Sequence, residues 1–140
     1  MGHSQNMNNR QIAQEILTLL PVGFFLRVAR NAPTRTGFVY NDYICTFGQD
    51  PEADPGEEFD GVRICLLSDE YIITELDLFE GALDSCAYFL SRHPGIASEL
   101  KEITDALNQE IAMLPARPQS EKARKYTPLR FIRRLFKTAT

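Results

Sequence analysis

The sequence predicts an α+β protein, a small antiparallel sheet with N-terminal and C-terminal helices packed mainly on one face. Three observations point there. Apolar residues recur at helical spacing from Asn9 to Arg30, an aromatic and β-branched region follows from Phe38 to Thr74, and helical spacing returns from Leu76 to Leu114. Helices, then strands, then helices is the order of a sheet covered from one side.

Within Asn9–Leu20, Ile12, Ile16, Leu19 and Leu20 stand at i, i+4, i+7 and i+8, the stripe of a helix with one buried face. Pro21 suits the first turn of a second helix. Val22–Arg30 continues with Phe24, Phe25 and Val28, so the sequence allows two short helices or one kinked helix. Thr34–Gly37 reads as a turn. Phe38–Phe47 is strand-like but interrupted by Asn41-Asp42, and both a tight hairpin and a bulged strand fit. Gly48–Gly56 holds two prolines and two glycines and reads as an acidic loop. A strand is expected over Phe59–Leu67, a turn at Ser68-Asp69-Glu70, and a returning strand over Tyr71–Thr74.

Thr74-Glu75-Leu76-Asp77 matches a capping box. The threonine hydroxyl accepts an early helical N–H, and the acid sits at the positive end of the helix dipole. The helix it starts should run to about Arg92, with Leu76, Phe79, Leu83, Cys86, Ala87 and Leu90 on its buried stripe. His93-Pro94-Gly95 stops it. A further helix over Ile96–Leu114 is marked by Leu100, Ile103, Leu107 and Ile111. Pro115–Gln119 reads as a linker, and Thr127–Lys137 as a short basic helix with Leu129, Ile132, Leu135 and Phe136 along one side.

The 140 residues are expected to form a disordered lead-in over 1–8, one α+β domain over 9–116, and a basic linker with an amphipathic helix over 117–140. A domain of this size buries roughly 68% of its unfolded surface and needs neither metal nor disulfide to hold a core. No apolar run approaches the roughly 18 residues that suggest a membrane span. The N-terminal MGHSQNMNNRQ lacks the charged start and apolar core of a signal peptide, so a cytoplasmic location is expected. Cys45, Cys65 and Cys86 form no CxxC pair and sit among apolar neighbours, which predicts reduced core residues.

The net charge of −4 conceals a split. From Asp50 to Asp84 there are twelve acids against the single base Arg63, a net of −11. From Arg117 to the end, eight bases face Glu121 alone, a net of +7. Such asymmetry indicates partners of opposite sign, or one part of the chain folding onto another.

No catalytic constellation is evident. Of the two histidines, His3 lies in the lead-in, and His93, at a helix end, is explained by the dipole. No P-loop, GxGxxG or HExxH pattern occurs. Asp50, Glu52 and Asp54 alternate like the opening of a calcium loop, but Pro55 and Gly61 stand where that loop needs glycine and glutamate. Neither a metal nor another cofactor is therefore expected, and the chain is not read as an enzyme. Glu75, Asp77, Glu80 and Asp84 fit a cap and a solvated helix face. Asp50, Glu52, Asp54, Glu57, Glu58 and Asp60, with Asp69 and Glu70, occupy two loops at strand ends. These acids are expected to form one patch for a cationic partner, where repulsion among them is best tolerated.

The stretch FDGVRICLLSDEYIITELDLFEGALDSCAYFL resembles the CdiI immunity proteins that accompany ribonuclease toxins in bacterial contact-dependent growth inhibition. The resemblance extends over Arg10–Pro94 and is carried by Phe59, Gly61, Val62, Asp69, Glu70, Ile72 and Ile73. Ser68 stands where a further acid would be expected, and the basic tail lies outside the pattern. The resemblance implies an intracellular inhibitor that binds the C-terminal nuclease domain of CdiA in a 1:1 complex and blocks access to RNA. It also implies no cofactor and no partnership with nucleic acid or membrane. The toxin-binding candidates are Asp50, Glu52, Asp54, Glu57, Glu58, Asp60, Asp69, Glu70 and Tyr71, with Phe59 or Tyr71 as anchors if exposed. A competing reading starts from Lys122–Lys137, whose interleaved Tyr126, Phe131 and Phe136 suit nucleic acid or an anionic membrane surface. The same segment also suits docking on the body of the protein, its bases meeting the acids.

Overall fold

The structure, a computed structural model, describes residues 8–115 together with the backbone of residues 124–125. Helix α1 (Asn9–Thr18) begins at a capping box. The Asn8 side chain accepts the Gln11 N–H at 2.8 Å, and the Gln11 side chain accepts the Asn8 N–H at 2.9 Å. Its buried face is Ile12, Ala13, Ile16 and Leu17. Helix α2 (Val22–Asn31) is separate, and Pro21 precedes it as N-cap, its carbonyl accepting the Phe25 N–H at 2.8 Å. Phe25, Leu26, Val28 and Ala29 face inward.

Strands β1 (Phe38–Tyr40) and β2 (Tyr43–Phe47) form the tight hairpin, with Tyr40 opposite Tyr43. Asn41 adopts φ +53°, the left-handed conformation that asparagine tolerates in two-residue hairpin turns. Strands β3 (Val62–Leu66) and β4 (Asp69–Ile73) form a second hairpin. Its turn is Leu67-Ser68, with Leu67 at φ +55°. The expected turn at Ser68-Asp69-Glu70 is therefore corrected: Asp69 pairs with Leu66 and Glu70 with Cys65, so both belong to the strand. The strand expected from Phe59 starts only at Val62, because Phe59 donates to the Gly48 carbonyl and closes a loop instead.

The sheet runs β1-β2-β3-β4-β5 and is antiparallel throughout. Strand β5 is the two-residue segment Arg124–Lys125, paired with Ile72 and Tyr71 on the outer edge of β4. The expected helix over Thr127–Lys137 lies outside the described residues.

The inner sheet face contributes Cys45, Phe47, Val62, Ile64 and Ile73 to the core beneath the helices. Helix α3 (Glu75–Arg92) is the central one. Thr74 caps it as expected, accepting the Asp77 N–H at 3.0 Å, while Asp77 accepts the Thr74 N–H at 3.3 Å. Its buried face holds Leu78, Phe79, Ala82, Ser85, Cys86 and Phe89. That is rotated from the expected stripe, for Leu76 and Leu83 are half-buried and Ala87 and Leu90 exposed. The helix packs on both α1 and α4 (Ala97–Met113), and its Phe79 meets Phe47 of the sheet at 6.3 Å between centroids, so more than one face is covered. Gly81 makes the α1 crossing close: a Cβ there would lie 2.5 Å from the Ala13 Cβ and 2.9 Å from the Arg10 carbonyl. Phe25 stacks on Phe89 at 4.5 Å between centroids, linking α2 to α3. His93 ends α3 as expected, its N–H donating to the Phe89 carbonyl at 2.8 Å. All three cysteines are free and buried.

Candidate functional site

The β2–β3 connection carries most of the candidate acids on a tied loop. At its neck, the Gly48 N–H donates to the Gly61 carbonyl at 2.8 Å and the Phe59 N–H to the Gly48 carbonyl at 3.3 Å. The Gln49 side-chain amide adds a bond to the Phe59 carbonyl at 3.0 Å. Gly48 is required by space, since a Cβ would run into the Phe59 carbonyl. Gly61 is required by its φ of +109°.

Beyond the neck the acids shape their own backbone. Asp50 accepts the Ala53 N–H through its carbonyl at 3.0 Å and the Glu52 N–H through its carboxylate at 2.8 Å. The Asp54 carbonyl accepts the Glu57 N–H at 2.9 Å, and Glu58 accepts the Gly56 N–H at 3.1 Å. The outcome is an ordered loop that holds Glu52, Asp54, Glu58 and Asp60 at the surface, with Asp50 and Glu57 half-buried.

Asp69 and Glu70 lie elsewhere. The loop joins the Val62 end of β3, whereas these acids pair at its Cys65–Leu66 end. Three to four residues of strand, about 10–13 Å, separate the two groups. The two groups of acids therefore lie toward opposite ends of β3, and Asp69 and Glu70 are strand residues rather than turn residues.

Between them runs the sheet face turned away from the helices. Register places Thr46, Arg63 and Ile72 in one row and Ile44, Cys65 and Glu70 in the next. Arg63 is only 3% exposed, with its guanidinium 5.1 Å over the Phe59 ring. Glu70 accepts a hydrogen bond from the Cys65 thiol at 3.4 Å. Burial, with the Glu70 charge second, pushes the Cys65 thiol up to about 12. Phe59 and Tyr71 are both half-buried, Phe59 against Arg63 and Tyr71 against the core, so neither is a freely exposed anchor.

The acids of α3 were expected at a cap and on a solvated face; Asp77 does sit in the cap, and Glu75, Glu80 and Asp84 are in addition paired with arginines. Glu75 pairs with Arg35 at 2.9 Å, and Arg35 reaches Glu110 of α4 at 2.7 Å. The Glu75 hydrogen bond is the largest cause of the raised Arg35 pKa. Asp77 is buried in its cap. Asp84 and Glu80 meet Arg10 of α1 at 2.6 and 3.5 Å. These carboxylates join helices. Their partners are distant in sequence, and the only signal for them was a pair of arginines outside the acidic segment.

Among the described residues, no group of three or more His, Cys, Asp or Glu side chains is placed to hold a metal ion. No described helix is long and apolar enough to cross a membrane. Fold and site together define a small α+β domain with a hydrogen-bonded acidic loop beside its sheet.

A family model described as CDI immunity protein matches residues 9–104, and the chain belongs to that family. It is an immunity protein of contact-dependent growth inhibition, and such proteins bind a cognate CdiA toxin domain. The match takes in the acidic loop, β4, α3 and the first half of α4, and ends before the basic segment. No curated protein and no solved structure matches the chain.

Proposed function

We propose that this immunity protein neutralises a ribonuclease toxin by laying its acidic surface over the toxin's basic RNA groove. The observation that carries the reading is the tied loop of residues 48–61. Its neck is fixed by backbone bonds, so the acids at its tip are ordered before a partner arrives. A groove that holds RNA phosphates is basic, and carboxylates on a fixed frame can take the same positions. Preorganisation lowers the entropy cost of binding.

The footprint suffices. A standard interface buries about 800 Å² on each partner, a patch roughly 30 Å across, so acids separated by ~10–13 Å of strand fit within one contact. Exposed Glu52, Asp54, Glu58 and Asp60 steer the approach. Half-buried Asp50, Glu57, Asp69, Glu70 and Tyr71 fix register at the contact. Charge steering raises association from about 10⁵–10⁶ toward 10⁸–10⁹ M⁻¹s⁻¹, which protects an RNA pool that a few toxin molecules would destroy. The complex is 1:1 and cytoplasmic, and the immunity protein performs no chemistry of its own.

Mixing the full chain with the toxin encoded beside it should abolish RNA cleavage. The variant Asp54→Lys/Glu57→Lys/Glu58→Lys should inhibit more slowly. A triple variant that inhibits as fast as the parent would remove the acidic loop from the mechanism.

A further inference from the structure

We infer that Arg124–Lys125 of the chain's own basic segment, paired as β5 on the outer edge of β4, compete intramolecularly for the surface the toxin uses. The inference rests on the proposed acidic interface. Lys125 pairs with Tyr71 and Arg124 with Ile72, so the strand lies directly beside Tyr71 and next to Glu70. Both are residues assigned above to the toxin contact. The segment has the charge of the expected partner: residues 117–140 carry +7 against −11 over residues 50–84.

Its construction suits displacement. A two-residue strand makes a short ladder. Only residues 114–123 connect it to the end of α4, and a short tether gives an effective concentration in the millimolar range. The edge is therefore covered when the protein is alone, yet a tightly binding partner can take it. Covering also hides strand N–H and C=O groups that would otherwise template aggregation. The opposite edge is guarded differently, by the brevity of the three-residue β1.

If the covered form makes up half to nine-tenths of the free protein, uncovering it tightens cation binding by about two- to tenfold. The test uses the full chain with Arg124→Pro/Lys125→Pro, which removes both backbone donors, and Arg124→Ala/Lys125→Ala, which removes the same charges but permits pairing. Three quantities are read: amide exchange over residues 69–73, affinity for decalysine, and association rate with the toxin. The proline variant should show faster exchange, and two- to tenfold gains in decalysine affinity and toxin association beyond any gain of the alanine variant.

Unchanged exchange, or equal gains in the two variants, would overturn the inference. So would slower toxin association in the proline variant, which would make the segment part of the contact. If the parent inhibits no ribonuclease, the proposed function falls. Exchange and decalysine binding then still decide whether the segment covers the edge.

Discussion

The guanidinium of Arg35 donates to the Glu75 carboxylate at 2.9 Å and so ties the 3-10 turn after α2 to the first turn of α3. The same arginine reaches Glu110 at 2.7 Å, and all three side chains are largely buried, at 15–23% exposure. One residue therefore joins three helical elements at the sheet's covered face. Arg35→Ala leaves two carboxylates near one another without their cation, a loss of about 1–3 kcal/mol. Urea denaturation at neutral pH should show the drop. Glu110→Gln, which keeps a neutral partner for Arg35, should cost less.

Gly48 is the weak point of the acidic loop. Gly48→Ala drives a Cβ into the Phe59 carbonyl, so the neck bonds to Phe59 and Gly61 must open. A backbone shift of that kind costs about 1–3 kcal/mol. Thermal melting should record it, while toxin association slows because the acids lose their fixed frame. By contrast Gly56→Ala meets no atom within 4 Å. Its only penalty arises from φ +85°, so it should perturb the neck little.

The capping box of α3 makes a separate prediction. Thr74→Ala removes the acceptor of the Asp77 N–H and should cost about 1 kcal/mol. Neither Thr74 nor Asp77 belongs to the proposed contact, so this loss is expected in stability with little change in association rate.

The buried thiols give a pH dependence. Burial pushes Cys45 up to about 12, as it does Cys65, from an ordinary value of 9.0. Because the folded values are raised, the folded state keeps protons that the unfolded state releases. Stability is complete below pH 9.0, then falls as pH rises toward 12. Cys45→Ala should flatten that decline. Thiol-reactive probes at pH 8 should modify neither residue until the protein unfolds.

The sequence announced its elements better than its contacts. Thr74 with Asp77 names a helix start through local chemistry, and α3 starts there, whereas Pro21, expected in the first turn of a second helix, is the N-cap one residue before it. Asn41-Asp42 left two readings open because a hairpin and a bulge use the same residues. Leu67 misled because a leucine at positive φ is uncommon, so the turn was assigned to the polar residues that follow it. The ion pairs of Glu75, Glu80 and Asp84 were hidden for a different reason. Their partners Arg10 and Arg35 come from other elements, and only the fold brings them near. The acidic loop was legible from its prolines, glycines and charge. Its tied neck was not, because that depends on Gly48 meeting Phe59 and Gly61 across the loop.

The most direct test of the acidic contact is the association rate of the full chain with its cognate toxin, measured as salt is raised. At about 0.15 M the screening length is ~8 Å, short enough to weaken steering while leaving contact pairs in place. The account predicts a rate that falls steeply with salt in the parent and shallowly in the Asp54→Lys/Glu57→Lys/Glu58→Lys variant. Equal slopes for the two proteins, or a parent rate indifferent to salt, would contradict it.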